Sequence, residues 1–85
     1  MASYSLLIKR SAARELEELP LKDRRRIVQR IQLLAAAPRP VGCEKLTGED
    51  KYRVRQGDYR ILYTIEDASR SVVVVRIAQR GDVYG

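Results

Sequence analysis

Histidine is missing from this sequence altogether. Its absence removes the commonest general acid–base side chain, so any catalysis must run on Arg, Lys, Tyr, Asp or Glu. Cys43 is the single cysteine. It has no partner for an internal disulfide, and the chain has no second cysteine or histidine for a zinc site. The acidic residues are scattered without ligand spacing, so no metal and no cofactor is expected. A thiol nucleophile wants a histidine beside it, and Cys43 therefore reads as a bland loop thiol of a reducing compartment. Long apolar runs are missing too. The longest strongly apolar stretch, Val72 to Val75, is far too short to cross a membrane. The first residues, Met1 to Ile8, lack a basic leader ahead of a long apolar segment, which argues against a signal peptide. These absences point to a cytoplasmic protein with no membrane partner.

What is present is charge. The 85 residues carry a formal net charge of +6. A chain of this length forms a single domain at most, spanning 1–85, with one modest core. Its charge favours polyanionic partners: RNA, DNA or an acidic protein. A basic domain with no nucleic-acid role has the same composition, so charge alone does not choose. The charged residues are interleaved with apolar ones, which is the pattern of a folded chain rather than a basic tail.

Periodicity divides the chain. Tyr4, Leu6 and Ile8 alternate with Ser5 and Leu7, the signal of a first strand ending near Lys9. Ser11 is the expected N-cap of a helix whose apolar face is Ala12, Leu16 and Leu19. Pro20 ends that helix or begins the next. The second helix is expected from about Leu21 to Ala36, with Ile27, Ile31 and Leu34 on its inner face. The short connection predicts an antiparallel helical hairpin. Pro38, Pro40 and Gly42 begin a loop. Three strands follow: Lys51 to Gln56, Tyr59 to Ile65, and Ser71 to Gln79. The fold class is thus α+β, in the order β-α-α-β-β-β, with the hairpin on one face of an antiparallel sheet.

The strands around Gly57 carry the chemistry. Tyr52 and Val54 alternate with Arg53 and Arg55; Tyr59, Ile61, Tyr63 and Ile65 alternate with Arg60. If the apolar rows face the helices, the arginines converge on the opposite face. Strict alternation along the last strand puts Val73 and Ile77 on the helix side, and Val72, Val74 and Arg76 on the open side. Leu62, Val72 and Val74 then form an exposed apolar row beside the arginines, a candidate partner surface. Arg76 is expected to make an intramolecular ion pair. Arginine stays protonated at any relevant pH, so Arg53, Arg55, Arg60 and Arg80 can bind phosphate and stabilise charge but cannot act as bases. Tyr84 is the candidate for proton transfer, because guanidinium groups nearby would favour its phenolate. Tyr52, Tyr59 and Tyr63 read as core. Taken singly, each arginine is also explained as the solvated half of an amphipathic strand; the functional case rests on the group.

The segments Tyr52-Arg53-Val54-Arg55, Gly57-Asp58-Tyr59-Arg60-Ile61-Leu62-Tyr63 and Arg80-Gly81-Asp82-Val83-Tyr84, in this order, resemble the RelE branch of the RelE/ParE toxin superfamily. The Lys45-Leu46-Thr47-Gly48 lead-in and the helical hairpin match as well. The resemblance implies a RelE-like microbial RNase fold and the toxin of a type II toxin–antitoxin pair. It also implies a metal-independent, ribosome-dependent endoribonuclease that cuts mRNA in the A site and leaves a cyclic phosphate. It assigns Arg53 and Arg55 to RNA binding, and Arg60, Arg80 and Tyr84 to catalysis. Leu62, Val72 and Val74 become the expected docking row for a cognate acidic antitoxin. Two alternatives stand beside this: a ParE-like inhibitor of DNA gyrase on the same scaffold, and a non-catalytic RNA-binding module.

Overall fold

The computed structural model describes residues 3–48 and 50–79. Five strands and two helices follow one another as β1 (Ser5–Ile8), α1 (Arg10–Glu17), α2 (Leu21–Ala36), β2 (Glu44–Lys45), β3 (Lys51–Gln56), β4 (Tyr59–Glu66) and β5 (Ser71–Gln79). They form one sheet in the order β1-β5-β4-β3-β2. β3, β4 and β5 make the expected antiparallel meander, but β1 lies parallel to β5, so the sheet is mixed. A parallel neighbour needs a crossover, and the helical hairpin is part of that connection. β2 was not anticipated. It is only two residues long and pairs Glu44 with Arg53 and Lys45 with Tyr52.

Both helices cover one face. Ala12 and Leu16 of α1 and Ile27, Ile31 and Leu34 of α2 pack with Val54, Ile61, Tyr63, Val72, Val74 and Ile77 of the sheet. Tyr63 is wholly buried, and its hydroxyl donates to the Pro38 carbonyl at 2.7 Å. That bond lets a tyrosine fill a core position without stranding a polar atom. Helix α2 has the bounds its periodicity predicts. Helix α1 starts earlier than expected: Lys9, not Ser11, is the N-cap, and no side chain caps it. The amide of Lys9 still donates to Val74 of β5, while its carbonyl already accepts from Ala13. The chain therefore turns from strand to helix at one residue, which leaves no room for a separate capping serine.

The face assignment of β5 needs a correction. The register slips between Leu62 and Tyr63: Leu62 lies opposite Arg76, and Tyr63 opposite Val74. Val75 is the extra residue. A β-bulge of this kind reverses the alternation on its strand. Val72 and Val74 consequently point into the helix-covered core and are wholly buried, while Val73 is only partly buried. Ile77, beyond the bulge, also faces the core. Leu62 stays on the open side but is itself buried. The expected exposed row of Leu62, Val72 and Val74 does not exist, and Val72 and Val74 are not available to any partner.

Beyond Val74, where β1 has ended, strand β5 has no strand on its β1 side. There the amide of Ile77 donates to the Glu15 carboxylate of α1 at 2.9 Å. The same carboxylate ion-pairs with Arg76 Nε at 3.4 Å, which is the intramolecular pair expected for Arg76. Glu15→Ala strands this amide, and it is expected to lower unfolding free energy by about 1–3 kcal/mol in urea melts. A midpoint equal to wild type would show that the bond contributes nothing.

Candidate active site

The open face of the sheet carries two rows of side chains. Arg55 of β3 lies across from Arg60 of β4, which lies across from Ala78 of β5. The next row is Arg53, Leu62 and Arg76. Opposite side chains on such strands sit roughly 5 Å apart at Cβ and diagonal ones about 7–8 Å. Arg53, Arg55 and Arg60 are thus brought together as the alternation predicts. Like charges directly opposite one another destabilise a sheet. Arg55 facing Arg60 concentrates positive charge on this face, an arrangement that suits an anion. Arg76 shares the face in register but its guanidinium is engaged by Glu15.

Two features hold the arginines in place. The β3–β4 hairpin closes through Gly57 and Asp58, with Gln56 paired to Tyr59. Gly57 has φ of 61°, which a two-residue hairpin turn of this kind requires at its first position and which glycine adopts at no steric cost. On the helix side, the Tyr59 hydroxyl donates to Asp23 of α2 at 3.0 Å. The turn is therefore anchored from behind. In front of it lies an open cleft of about 240 Å³ lined by Arg55, Gly57, Asp58, Tyr59 and Arg60. Drug-sized ligands fill pockets of roughly 300–1,000 Å³. A cleft of this size with two guanidiniums on its wall suits one small anionic group.

Glu44 is the residue that sequence reasoning missed. Its Oε1 accepts a hydrogen bond from Arg53 Nη2 at 2.6 Å. That bond holds the Glu44 carboxyl below the usual carboxylate range, and the charges of Arg53, Arg55 and Arg60 add to the effect. Glu44 thus lies at the edge of the arginine face, paired in register with Arg53. The loop that delivers Glu44 is pinned. Arg39 forks onto Asp67 with contacts of 3.3 and 2.9 Å, and the Tyr4 hydroxyl donates to the same carboxylate at 2.8 Å. The Arg39 guanidinium also sits 5.3 Å from the centre of the Tyr52 ring, which stacks on Tyr63 at 5.9 Å. Bonds from Arg39 and then Tyr4 hold the Asp67 carboxyl below its ordinary range.

Tyr59 and Tyr63, on the helix side of β4, hold their protons and offer no base to the arginine face. Burial, and then the bond to Asp23, push the Tyr59 phenol up. Burial does the same, more strongly, to Tyr63. Arg80 and Tyr84, the remaining sequence candidates, lie outside the described residues. Among the described residues no cluster of three or more His, Cys, Asp or Glu side chains is placed to hold a metal ion. No described helix is long and apolar enough to cross a membrane.

Comparison with known proteins places this geometry. Residues 6–84 match the model of the ParE toxin of the type II toxin–antitoxin system parDE. The chain is 32% identical to toxin RelG of Mycobacterium tuberculosis over 85 residues, covering 95% of each. It is also 32% identical to toxin RelE of the same organism, over 83 residues. Its fold matches that of an archaeal RelE–RelB complex from Pyrococcus horikoshii OT3 with a TM-score of 0.84 at 28% identity, covering 95% of this chain and 99% of that one. The two helices and the five-stranded mixed sheet are thus shared with proteins named as toxins, and the chain belongs to the ParE toxin family of type II toxin–antitoxin systems as a RelE-like toxin.

Proposed function

We propose that this toxin is a metal-independent endoribonuclease that acts on the ribosome, cutting mRNA in the A site through the substrate's own 2′-hydroxyl. The observation that carries the reading is the convergence of Arg53, Arg55 and Arg60 on one sheet face, beside an open cleft lined by Arg55 and Arg60. The 2′-oxygen loses its proton and bonds to the adjacent phosphorus. The bond from phosphorus to the 5′-oxygen breaks, that oxygen takes up a proton from water and leaves as a hydroxyl, and a cyclic phosphate is left. Negative charge builds on the non-bridging oxygens as this happens. Fixed guanidiniums aimed at those oxygens need no reorganisation when the charge develops. Arg53 and Arg55 hold the flanking phosphates and Arg60 stabilises the transition state. Arg80 serves the leaving group. No arginine can take the proton, so Tyr84 or water takes it. A nucleophile that comes with the RNA leaves the protein only positioning, charge and one proton transfer to supply.

An acidic antitoxin neutralises the toxin in this reading. A basic face of overlapping guanidiniums favours an acidic segment that orders on binding. The solved RelE–RelB complex of Pyrococcus horikoshii supports a partner of the RelB kind.

The test is direct. Translating ribosomes incubated with antitoxin-free toxin should yield mRNA cut within the A-site codon, read by primer extension. Intact mRNA with folded protein would refute the proposal. The family description, which names parDE, favours gyrase inhibition as the second reading. A gyrase cleavage-complex assay run in parallel separates the two.

A further inference from the structure

We propose that Glu44 is a built-in competitor for RNA phosphate: its carboxylate occupies Arg53, and RNA binds by displacing it. The inference rests on the arginine face being the RNA site proposed above. A carboxylate accepting a charge-assisted hydrogen bond from a guanidinium offers it the same kind of oxygen that a backbone phosphate offers. Glu44 holds one edge of that guanidinium, with its Oε1 2.6 Å from Arg53 Nη2.

The two partners differ in how firmly they are held. The Glu44 side chain is 64% exposed and that of Arg53 only 25%. Glu44 can therefore swing into solvent with little packing lost, while Arg53 keeps its place on β3. The strand that carries Glu44 is two residues long and lies at the edge of the sheet. Nothing about the core requires an acid there, since Glu44 is exposed and buries no apolar surface. The hydrogen bond from Arg53 that lowers its carboxyl range keeps Glu44 ionised while it holds that guanidinium. The device weakens adventitious anion binding and lets a polyanion, which brings several phosphates at once, outcompete a single carboxylate.

The probe is a short, fluorescently labelled, 2′-O-methyl RNA, which lacks the nucleophile and so is not cut. Its binding is followed by anisotropy across a salt series for wild type, Glu44→Gln, Glu44→Ala, Glu18→Gln and Arg60→Gln. Glu18 is exposed at the end of α1, on the helix side, so its variant makes the same change in net charge away from the face. Both Glu44 variants should bind tighter than wild type by up to about fivefold, the upper end for one exposed ion pair. Their slope of log K against log salt should match that of wild type, because Arg53 meets the same phosphate once Glu44 is displaced. Glu18→Gln should leave the affinity near that of wild type. If the Glu44 variants behave like Glu18→Gln, or bind more weakly than wild type, while Arg60→Gln still loses affinity, the competitor is refuted and the RNA face stands. If no variant binds the probe, or Arg60→Gln binds like wild type, both readings fall together.

Discussion

Arg60→Ala is expected to slow A-site mRNA cleavage by about 100- to 1,000-fold, the usual cost of removing one preorganised group that stabilises transition-state charge. The reason is geometric. Arg60 stands in the middle of the face, opposite Arg55 on one side and Ala78 on the other. It also lines the cleft beside the hairpin turn. No other described guanidinium has the same combination of central position and open cleft. The fold should survive the change, since Arg60 is outside the helix-covered core. Removing one of two facing positive charges also relieves repulsion. Arg60→Lys provides the second point. It keeps the charge but loses the planar fork, so its rate should fall between the two. Single-turnover cleavage on programmed ribosomes, with thermal melts of each variant, reads both effects. A wild-type rate in Arg60→Ala would remove Arg60 from the mechanism.

Val74→Asp should be the most damaging single substitution on β5, and Val73→Asp, one residue earlier, should be mild. Val74 is wholly buried among the helices and the inner face of the sheet. An aspartate there must lose hydration as a charge or take up a proton, and no polar partner awaits it. The expected cost is above about 4 kcal/mol, a large part of the ~5–15 kcal/mol that stabilises a typical domain. Val73 points to the open face and is only partly buried, so its change should cost roughly 1 kcal/mol. Each kcal/mol shifts a melting temperature by about 4–8 °C in a domain of this size. Paired melts would therefore show a small shift for Val73→Asp and loss of the folded state for Val74→Asp. The reverse order would mean that the bulge is wrongly placed. Loss of antitoxin binding in Val74→Asp would report unfolding, not a docking residue.

Much of the fold was legible from pattern alone. Ile27, Ile31 and Leu34 repeat at helical spacing, and α2 has the bounds that spacing predicts. Tyr52, Val54, Tyr59, Ile61 and Tyr63 alternate with residues of the other face, polar but for Leu62, and they line the core or pack against it. Their facing is set by chain geometry within one element, so no distant contact is needed to read it. Val72 and Val74 were not legible. Their strand is valine on both faces, so alternation carries no information about which side is inner. The decision falls to Val75, whose extra place in the register depends on how β4 and β5 pair.

The sequence by itself determined that the arginines of β3 and β4 share a face, that arginine can supply only charge there, and that this face belongs to a RelE-like toxin. Alternation within a strand and the chemistry of a guanidinium are local properties, and they hold wherever the strand is placed. Tertiary structure alone decided the rest. The bulge on β5 turned Val72 and Val74 inward. The end of β1 exposed the amide that Glu15 satisfies. The pinned loop after α2 brought Glu44 onto Arg53. Each depends on where one element stops relative to another, a relation carried by packing and pairing between distant segments and not by any residue's own neighbours in sequence.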